Sequence, residues 1–169
     1  MAAGPIFPNS VYYGDTSGNT FPNFYVGTNQ GGTANAAPAD EGIGVAASLG
    51  ADSTVQLRFA LPPGSSAPSG TMKLHILCLA NATSGVAKFT VNDAVVAASG
   101  GLPSGATLTA ETQSSITWTT GSNDEYQEVK VTLSSSWQAN GVLVVALTFN
   151  HSSWTLAAVM TAIVSLIWE

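Results

Sequence analysis

Side chains suited to metal binding or nucleophilic catalysis are scarce in this sequence. His75 and His151 are its only histidines, and Cys78 is its only cysteine. None stands in a CxxC or HxxxH spacing, so the ligand pattern of a zinc site is absent. In a strand over 71–80, odd spacing puts His75 and Cys78 on opposite faces, which argues against a catalytic Cys–His couple. We expect Cys78 to be a small buried apolar residue and His75 to lie at the surface or an interface.

Carboxylates form one local cluster, at Asp124, Glu125 and Glu128. Glycoside hydrolysis uses a pair of carboxylic acids, and calcium is bound by several carboxylate oxygens. No second cluster accompanies this one, and acids are common at solvated turns. The motifs GxxxxGK[ST], GxGxxG and GxSxG are also absent. We therefore predict no enzyme activity, no metal and no cofactor; a glycosidase with Glu128 as its acid ranks last among the alternatives.

Aromatic residues are the remaining candidates for a functional surface. Trp118 and Trp168 lie in predicted strands and are expected to pack inside, whereas Trp137 and Trp154 lie in or beside loops and are expected to be exposed or at a subunit boundary. Exposed rings on a β-sandwich can stack on sugars, so carbohydrate binding is an alternative to packing. Further aromatics concentrate near the N-terminus. The predicted interface residues are Tyr12, Tyr13, Phe21, Phe24, Tyr25, Trp137 and Trp154.

Charged residues are few and mostly acidic. The chain has 4 Lys and Arg residues against 10 Asp and Glu residues, for a formal net charge of −6. Nucleic-acid binding needs a basic patch, and the four basic residues are dispersed. Charged residues make up 8% of the chain, against about 25% in an average protein. Such a surface suits lasting contacts between proteins better than a free monomer.

The termini and the single cysteine restrict where the protein is made. One cysteine cannot form an intrachain disulfide. The N-terminal residues lack the basic and apolar regions of a signal peptide. The apolar stretch 156–168 is shorter than the roughly 20 residues that a membrane helix needs. The sequence therefore predicts a protein made in the cytoplasm, without membrane insertion.

Two kinds of sequence divide the chain. Residues 1–40 are rich in Gly, Asn, Pro and Thr and predict an irregular arm, packed on its own domain or reaching a neighbour. Residues 41–169 show apolar alternation between Gly- and Pro-containing turns, which predicts about eight strands and no long helix. This pattern indicates an all-β fold, a jelly-roll-like antiparallel β-sandwich. The predicted strands are 43–49, 54–61, 71–80, 86–96, 106–120, 126–133, 142–149 and a last strand that ends at Trp168. The strand 106–120 is expected to bend near Gln113, and one helical turn is expected within 151–159, with Ser152 or Ser153 as its N-cap.

Two of these strands are apolar on both faces. The runs 142–149 and 163–168 place apolar residues at consecutive positions, where a half-exposed strand would alternate. Both faces then need cover, from a second sheet on one side and from further protein on the other.

Three stretches resemble a known group of proteins. They read LPPGSSAPSGTMKLHILCLANATSG at 61–85, SITWTTGSNDEYQEVKVTL at 115–133 and SWTLAAVMTAIVSLIWE at 153–169. Over roughly residues 54–169, the chain resembles small jelly-roll virion proteins of tailed bacteriophages, the capsid decoration or cement proteins. The resemblance implies a structural protein on the outer capsid surface that binds the phage major capsid protein and stabilises its lattice.

The resemblance also implies an assembly. Symmetric sites on a capsid demand a symmetric homo-oligomer, with a trimer favoured over a dimer. Jelly-roll modules occur in phage fibres as well. The alternative is therefore a fibre or receptor-binding module that recognises a host-surface glycan.

Overall fold

The protein is a two-layer arrangement of antiparallel strands. The computed structural model describes residues 5–6, 8, 10–13, 24–26, 43–45, 52–61, 63, 67–97, 107–111, 113–119, 126–153, 155–157 and 160–169. Within these ranges it contains eleven strands and one turn of 3-10 helix at His151–Ser153. The strands are β1 Ser10–Tyr13, β2 Phe24–Val26, β3 Ile43–Val45, β4 Ser53–Ala60, β5 Met72–Ala80, β6 Gly85–Val96, β7 Thr109–Ala110, β8 Ser114–Trp118, β9 Tyr126–Thr132, β10 Val142–Phe149 and β11 Met160–Trp168.

The strand order confirms the predicted fold class. One sheet has the order β1-β4-β10-β6-β7, with β8 also paired to β6; the other has the order β2-β3-β11-β5-β9. From β3 onward the chain crosses between the sheets at each step, except from β6 to β7 and β8. Strands β4-β10-β6-β8 face strands β3-β11-β5-β9, which is the connectivity of a jelly roll. No helix among the described residues is long and apolar enough to span a membrane.

Alternating side chains build the core between the sheets. Along β5, every second residue from Met72 to Ala80 is buried, because successive residues of a strand point to opposite faces. The six-stranded sheet contributes Phe89 and Phe149, whose rings meet edge to face at 5.4 Å. Cys78 is fully buried among these residues, and burial raises the pKa of its thiol. The prediction that Cys78 is a buried apolar residue is confirmed.

The two central strands are buried on both faces, as predicted. Strand β10 lies between β4 and β6, and its outward residues Val144 and Ala146 are buried. Strand β11 lies between β3 and β5, and its outward residues Thr161 and Ser165 are buried. Central position explains this, since small outward side chains are covered by longer ones on the flanking strands.

Part of the predicted arm is regular structure. Strand β1 pairs with β4, and β2 pairs with β3. Ile6 exchanges two backbone hydrogen bonds with Leu166, at 2.9 and 2.7 Å. Composition did not indicate these strands, because an edge strand gains its hydrogen bonds from residues distant in sequence. Residues 1–40 thus contribute strands at the edges of both sheets.

The bend predicted near Gln113 is confirmed as a break between two strands, β7 and β8, which pair with different parts of β6. One local prediction is corrected. The helical turn does not begin after Ser152 or Ser153. It spans His151–Ser153, and the Ser153 N–H donates to the Asn150 carbonyl at 3.3 Å.

Candidate recognition surfaces

The outer face of the six-stranded sheet is polar. Residues Val55, Leu57 and Phe59 of β4 are in the core, so the residues between them point outward. The same alternation applies to β6 and β10. We call this surface the polar face; its half-buried polar outward residues are Thr54, Gln56, Arg58, Lys88, Thr90, Asn92 and Thr148, and its half-buried apolar outward residues are Val86, Ala94, Val96 and Val142.

The strand register arranges these residues in rows across β10. Thr148 lies between Thr54 and Thr90 in one row. In the next row Ala146 lies between Gln56 and Asn92. Ala146 is small, and the longer Gln56 and Asn92 side chains on either side cover it to 6% exposure; we call this strip along β10 the trough.

Hydrogen bonds hold one end of the polar face in place. The hydroxyl oxygens of Thr54 and Thr148 are 2.8 Å apart. The Thr90 hydroxyl donates to Asn150 Oδ1 at 2.9 Å and accepts from Gln113 Nε2 at 3.2 Å. These side chains are therefore oriented before any ligand binds.

The outer face of the five-stranded sheet has different chemistry. We call it the aliphatic face; its outward residues include Leu77, Leu79, Ile163 and Ile167, which are half-buried. Tyr126, at the β9 edge of this face, is 50% exposed and is the one exposed large hydrophobic residue of the described ranges. This face offers apolar area for a protein contact.

Charged groups on the aliphatic face are paired with one another. Glu169 accepts hydrogen bonds from Lys130 at 2.6 Å and from Lys73 at 3.2 Å. These bonds, first that of Lys130, lower the pKa of the Glu169 carboxyl. His75 Nε2 lies 2.9 Å from a Glu128 carboxylate oxygen. The predicted surface position of His75 is confirmed, and the partner of Glu128 is an imidazole.

The predicted tryptophan positions are partly described. Trp118 and Trp168 are buried, as expected. Trp137 is half-buried, packs against the core and meets Trp168 edge to face at 5.9 Å. It lies in a loop, as predicted, but is not fully exposed, because the Trp168 ring covers part of it; a position at a subunit boundary stays a prediction.

The other predicted interface residues lie in the edge strands or outside the described ranges. Tyr12 and Tyr13 belong to β1, where Tyr12 pairs with Gln56 of the polar-face strand β4. Phe24 and Tyr25 belong to β2, which pairs with β3. Phe21, Trp154, Asp124 and Glu125 lie outside the described residues.

One pair of carboxyl groups was not expected from the sequence. Asp93 of β6 is 0% exposed, and its carboxylate oxygens have no hydrogen-bond donor of good geometry in the described structure. Glu111 lies beside it, and Glu111 Oε1 accepts from the Ser134 N–H at 2.8 Å and the Ser134 hydroxyl at 2.5 Å. The sequence does contain a signal for the burial of Asp93. Asp93 follows Phe89 and Val91 at every second position of β6, so it points to the core as they do.

The two carboxyl groups differ in proton affinity. Burial, and next the neighbouring Glu111 side chain, raise the pKa of Asp93 to about 7. Burial also acts to raise the pKa of Glu111, but the adjacent Asp93 side chain and the hydrogen bonds from Ser134 outweigh it and lower that pKa. Asp93 is thus the group that keeps a proton. No group of three or more potential metal-ligating side chains occurs in the described ranges.

Comparisons with known proteins give distant likenesses of fold. No protein-family model matches the chain, and no curated protein shows significant sequence similarity to it. Among solved structures, it is similar to the family 11 carbohydrate-binding module of a cellulosomal cellulase of Clostridium thermocellum (11% identity, TM-score 0.44, 100% of this chain and 97% of that chain). It is also similar to the N-terminal cellulose-binding domain of Cellulomonas fimi β-1,4-glucanase C (16% identity, TM-score 0.41, 78% and 80%).

An enzyme is among the similar structures as well. It is an arabinose-bound α-L-arabinofuranosidase, at 12% identity and a TM-score of 0.44. The match covers 98% of this chain but spans only 24% of the arabinofuranosidase. At such identities and TM-scores these likenesses carry no argument about ligands, so function has to be argued from the two faces.

Proposed function

We propose that this chain is a non-catalytic recognition module that binds carbohydrate through its polar face. The observation that carries the proposal is the set of neutral hydroxyl and amide side chains in register across β4, β10 and β6. Hydroxyl groups donate and accept, and amides do both through separate atoms, which matches the hydroxyl groups of a sugar. In the phage context that the sequence resemblance implies, such a module would recognise a host-surface glycan.

Preorganisation supports the same proposal. A ligand that binds flexible side chains must immobilise them, and this loss of freedom weakens affinity. On the polar face, Thr54, Thr90 and Thr148 are already held by side-chain hydrogen bonds. The trough over Ala146 leaves Gln56 and Asn92 on either side of a ligand that lies along β10.

A non-catalytic role is consistent with the carboxyl groups. A glycosidase needs two carboxyl groups that can reach the scissile bond. Asp93 is closed off from solvent and Glu128 is engaged by His75. Neither group is placed to act with a second acid on a bound sugar.

Replacing the trough amides is expected to weaken glycan binding. In Gln56→Ala and Asn92→Ala, we expect the affinity for a glycan that the wild-type protein binds to fall by about tenfold each, since each lost hydrogen bond is worth about 1–2 kcal/mol. Binding can be measured by calorimetry after a polysaccharide panel has been tested by affinity electrophoresis.

The matched control is Thr132→Ala, at an exposed position on the other sheet. Its affinity should equal that of the wild type. If both trough variants bind as tightly as the wild type, the polar face is not the glycan site.

Capsid decoration is the second candidate function, and the aliphatic face favours it. The aliphatic face presents an apolar surface made of Leu77, Leu79, Ile163 and Ile167. Within the described part of the chain each of these side chains is only half-buried. Such a surface suits a permanent contact with the capsid lattice or with an identical subunit. The charge pairs around Glu169 neutralise the rim of this surface, which lowers the penalty of burying it.

A charge on the aliphatic face is expected to abolish assembly if this candidate is right. Ile163→Glu places a carboxylate between Leu77 and the β3 side of the sheet, and we expect it to prevent capsid binding and to leave a monomer. Co-sedimentation with phage capsid shells and mass by light scattering measure the two effects. A wild-type protein that is monomeric and does not sediment with capsids would remove this candidate.

A further inference from the structure

The positively charged residues are divided unevenly between the two sheets. The chain has four, namely Arg58, Lys73, Lys88 and Lys130. Lys73 and Lys130 belong to the five-stranded sheet, and both contact Glu169. Arg58 and Lys88 are outward residues of the polar face and form no ion pair with any described residue. Two of the four cations therefore lie on one surface without a carboxylate partner among the described residues.

Few described carboxylates share this surface. The outward positions of β4, β6 and β10 carry none, but Asp52, one residue before β4, is exposed and continues the outward series of β4 at the Lys88 end. Of the remaining described acids, Asp93 points inward, Glu111 holds Ser134, and Glu128 and Glu169 lie on the other sheet. Although the chain has a formal net charge of −6, cations outnumber carboxylates on the described part of this face.

The guanidinium group of Arg58 lacks one of its hydrogen-bond partners in the described structure. It is half-buried, and its Nε is buried without a hydrogen-bond partner in the described structure. Guanidinium donors that are withdrawn from water need an acceptor, and a carboxylate is the acceptor that matches the planar fork. The buried Nε is out of reach of a ligand, so a ligand carboxylate would have to meet the terminal nitrogens of this half-buried guanidinium.

The spacing of the two cations sets the size of that ligand. Arg58 lies beside Val144 of β10, whereas the Lys88 carbonyl accepts from the Asn150 N–H, on the other side of β10. Six residues along a strand correspond to roughly 20 Å. A single sugar unit does not reach both positions, but a polysaccharide lying along the trough does.

We propose that the polar face binds an anionic polysaccharide whose repeated carboxylates contact Arg58 at one end of the trough and Lys88 at the other. The proposal rests on the carbohydrate-binding function proposed above and specifies its ligand. Gln56, Asn92 and Thr148, which lie between the two cations, contact the neutral hydroxyl groups of the same chain. Uronic acid units supply the carboxylates; sulfated sugars are the other source of anionic charge.

The test compares two galacturonan forms that share a backbone and adds a sulfated polymer of a different backbone. Polygalacturonate, its methyl-esterified neutral form and dextran sulfate are titrated into the protein by calorimetry, at low and at physiological salt. We expect polygalacturonate to bind about tenfold more tightly than the methyl ester, and the difference to shrink as salt rises. We expect Arg58→Gln and Lys88→Gln each to lower the affinity for polygalacturonate about tenfold. The affinity of both variants for the methyl ester should change little.

Two further variants separate charge on this face from charge elsewhere. Lys73→Gln removes a cation from the other sheet and should bind polygalacturonate as the wild type does. Arg58→Lys keeps the charge but not the planar fork, so it should recover only part of the affinity lost in Arg58→Gln.

The outcomes separate the proposal that the polar face binds carbohydrate from the proposal that its ligand is anionic. Equal binding of both galacturonan forms, still weakened by Asn92→Ala, overturns the anionic ligand and leaves the carbohydrate-binding function in place. Tighter binding of dextran sulfate than of polygalacturonate overturns the carboxylate assignment. No binding of any neutral or anionic polysaccharide overturns both proposals.

Discussion

Phe89→Ala is expected to lower the free energy of unfolding by about 3–5 kcal/mol. Phe89 is fully buried at the centre of the inner face of β6, opposite Phe149 in the register of β10. Truncation removes the ring from the core and leaves a cavity that two hydrogen-bonded sheets cannot collapse to fill. It also removes the edge-to-face contact at 5.4 Å, a geometry worth about 0.5–1.5 kcal/mol in addition to burial.

Urea denaturation followed by tryptophan fluorescence measures this loss. The matched control is Lys88→Ala, the adjacent residue on the outer face, which should change the free energy of unfolding by no more than about 0.5 kcal/mol. A Phe89→Ala protein as stable as the control would mean that the two sheets do not pack as described.

Raising the pH from about 5 to about 8 is expected to destabilise the protein by about 2 kcal/mol through Asp93. The pKa of Asp93 is raised from 3.8 to about 7, chiefly by burial. The folded protein therefore holds this proton when the unfolded chain has already released it. Stability from Asp93 is fully present below the unfolded pKa and is lost as the pH rises through about 7.

Glu111 acts in the opposite sense and in a lower pH range. Its pKa is lowered, so its contribution is present above the unfolded pKa and is lost only as the pH falls through the folded value. Between about pH 5 and pH 8 Glu111 is already ionised in both states, and the fall in stability belongs to Asp93.

Asp93→Asn isolates this effect. An amide resembles the protonated carboxyl group and can donate to Glu111. The stability of the variant should therefore not fall between about pH 5 and pH 8, and at about pH 8 it should equal or exceed the stability of the wild type. Melting temperatures across this pH range provide the measurement. Asp52→Asn, which removes an exposed carboxylate, should retain the wild-type slope; an Asp93→Asn protein with that same slope would contradict the assignment.

Much of the framework could be predicted from local patterns. The alternation in Met72–Ala80 and Tyr126–Thr132 identified half-buried strands, because period-two alternation is itself the consequence of a two-faced strand. The two-sided run Val142–Phe149 identified a central strand, since only neighbours on both sides can cover both faces. Absence of catalytic spacing around His75 and Cys78 could likewise be read without a structure.

Other features depended on pairings between residues distant in sequence. The strands near Ser10 and Phe24 exist because β4 and β3 offer free edges, and a Gly- and Pro-rich composition does not encode that. Asp93 and Glu111 meet because β7 pairs with β6. Trp137 is half-buried because the end of β11 brings Trp168 beneath it.

The carboxyl, thiol and imidazole side chains were judged by their spacing along the chain, and the sequence alone determined that they form no recognised catalytic or metal motif. The sequence also determined the sandwich, because burial alternates with the backbone itself. Only the tertiary structure decided which side chains share a surface. Arg58 comes from β4 whereas Lys88 and Asn92 come from β6, and the register of both strands with β10 places all three on one polar face.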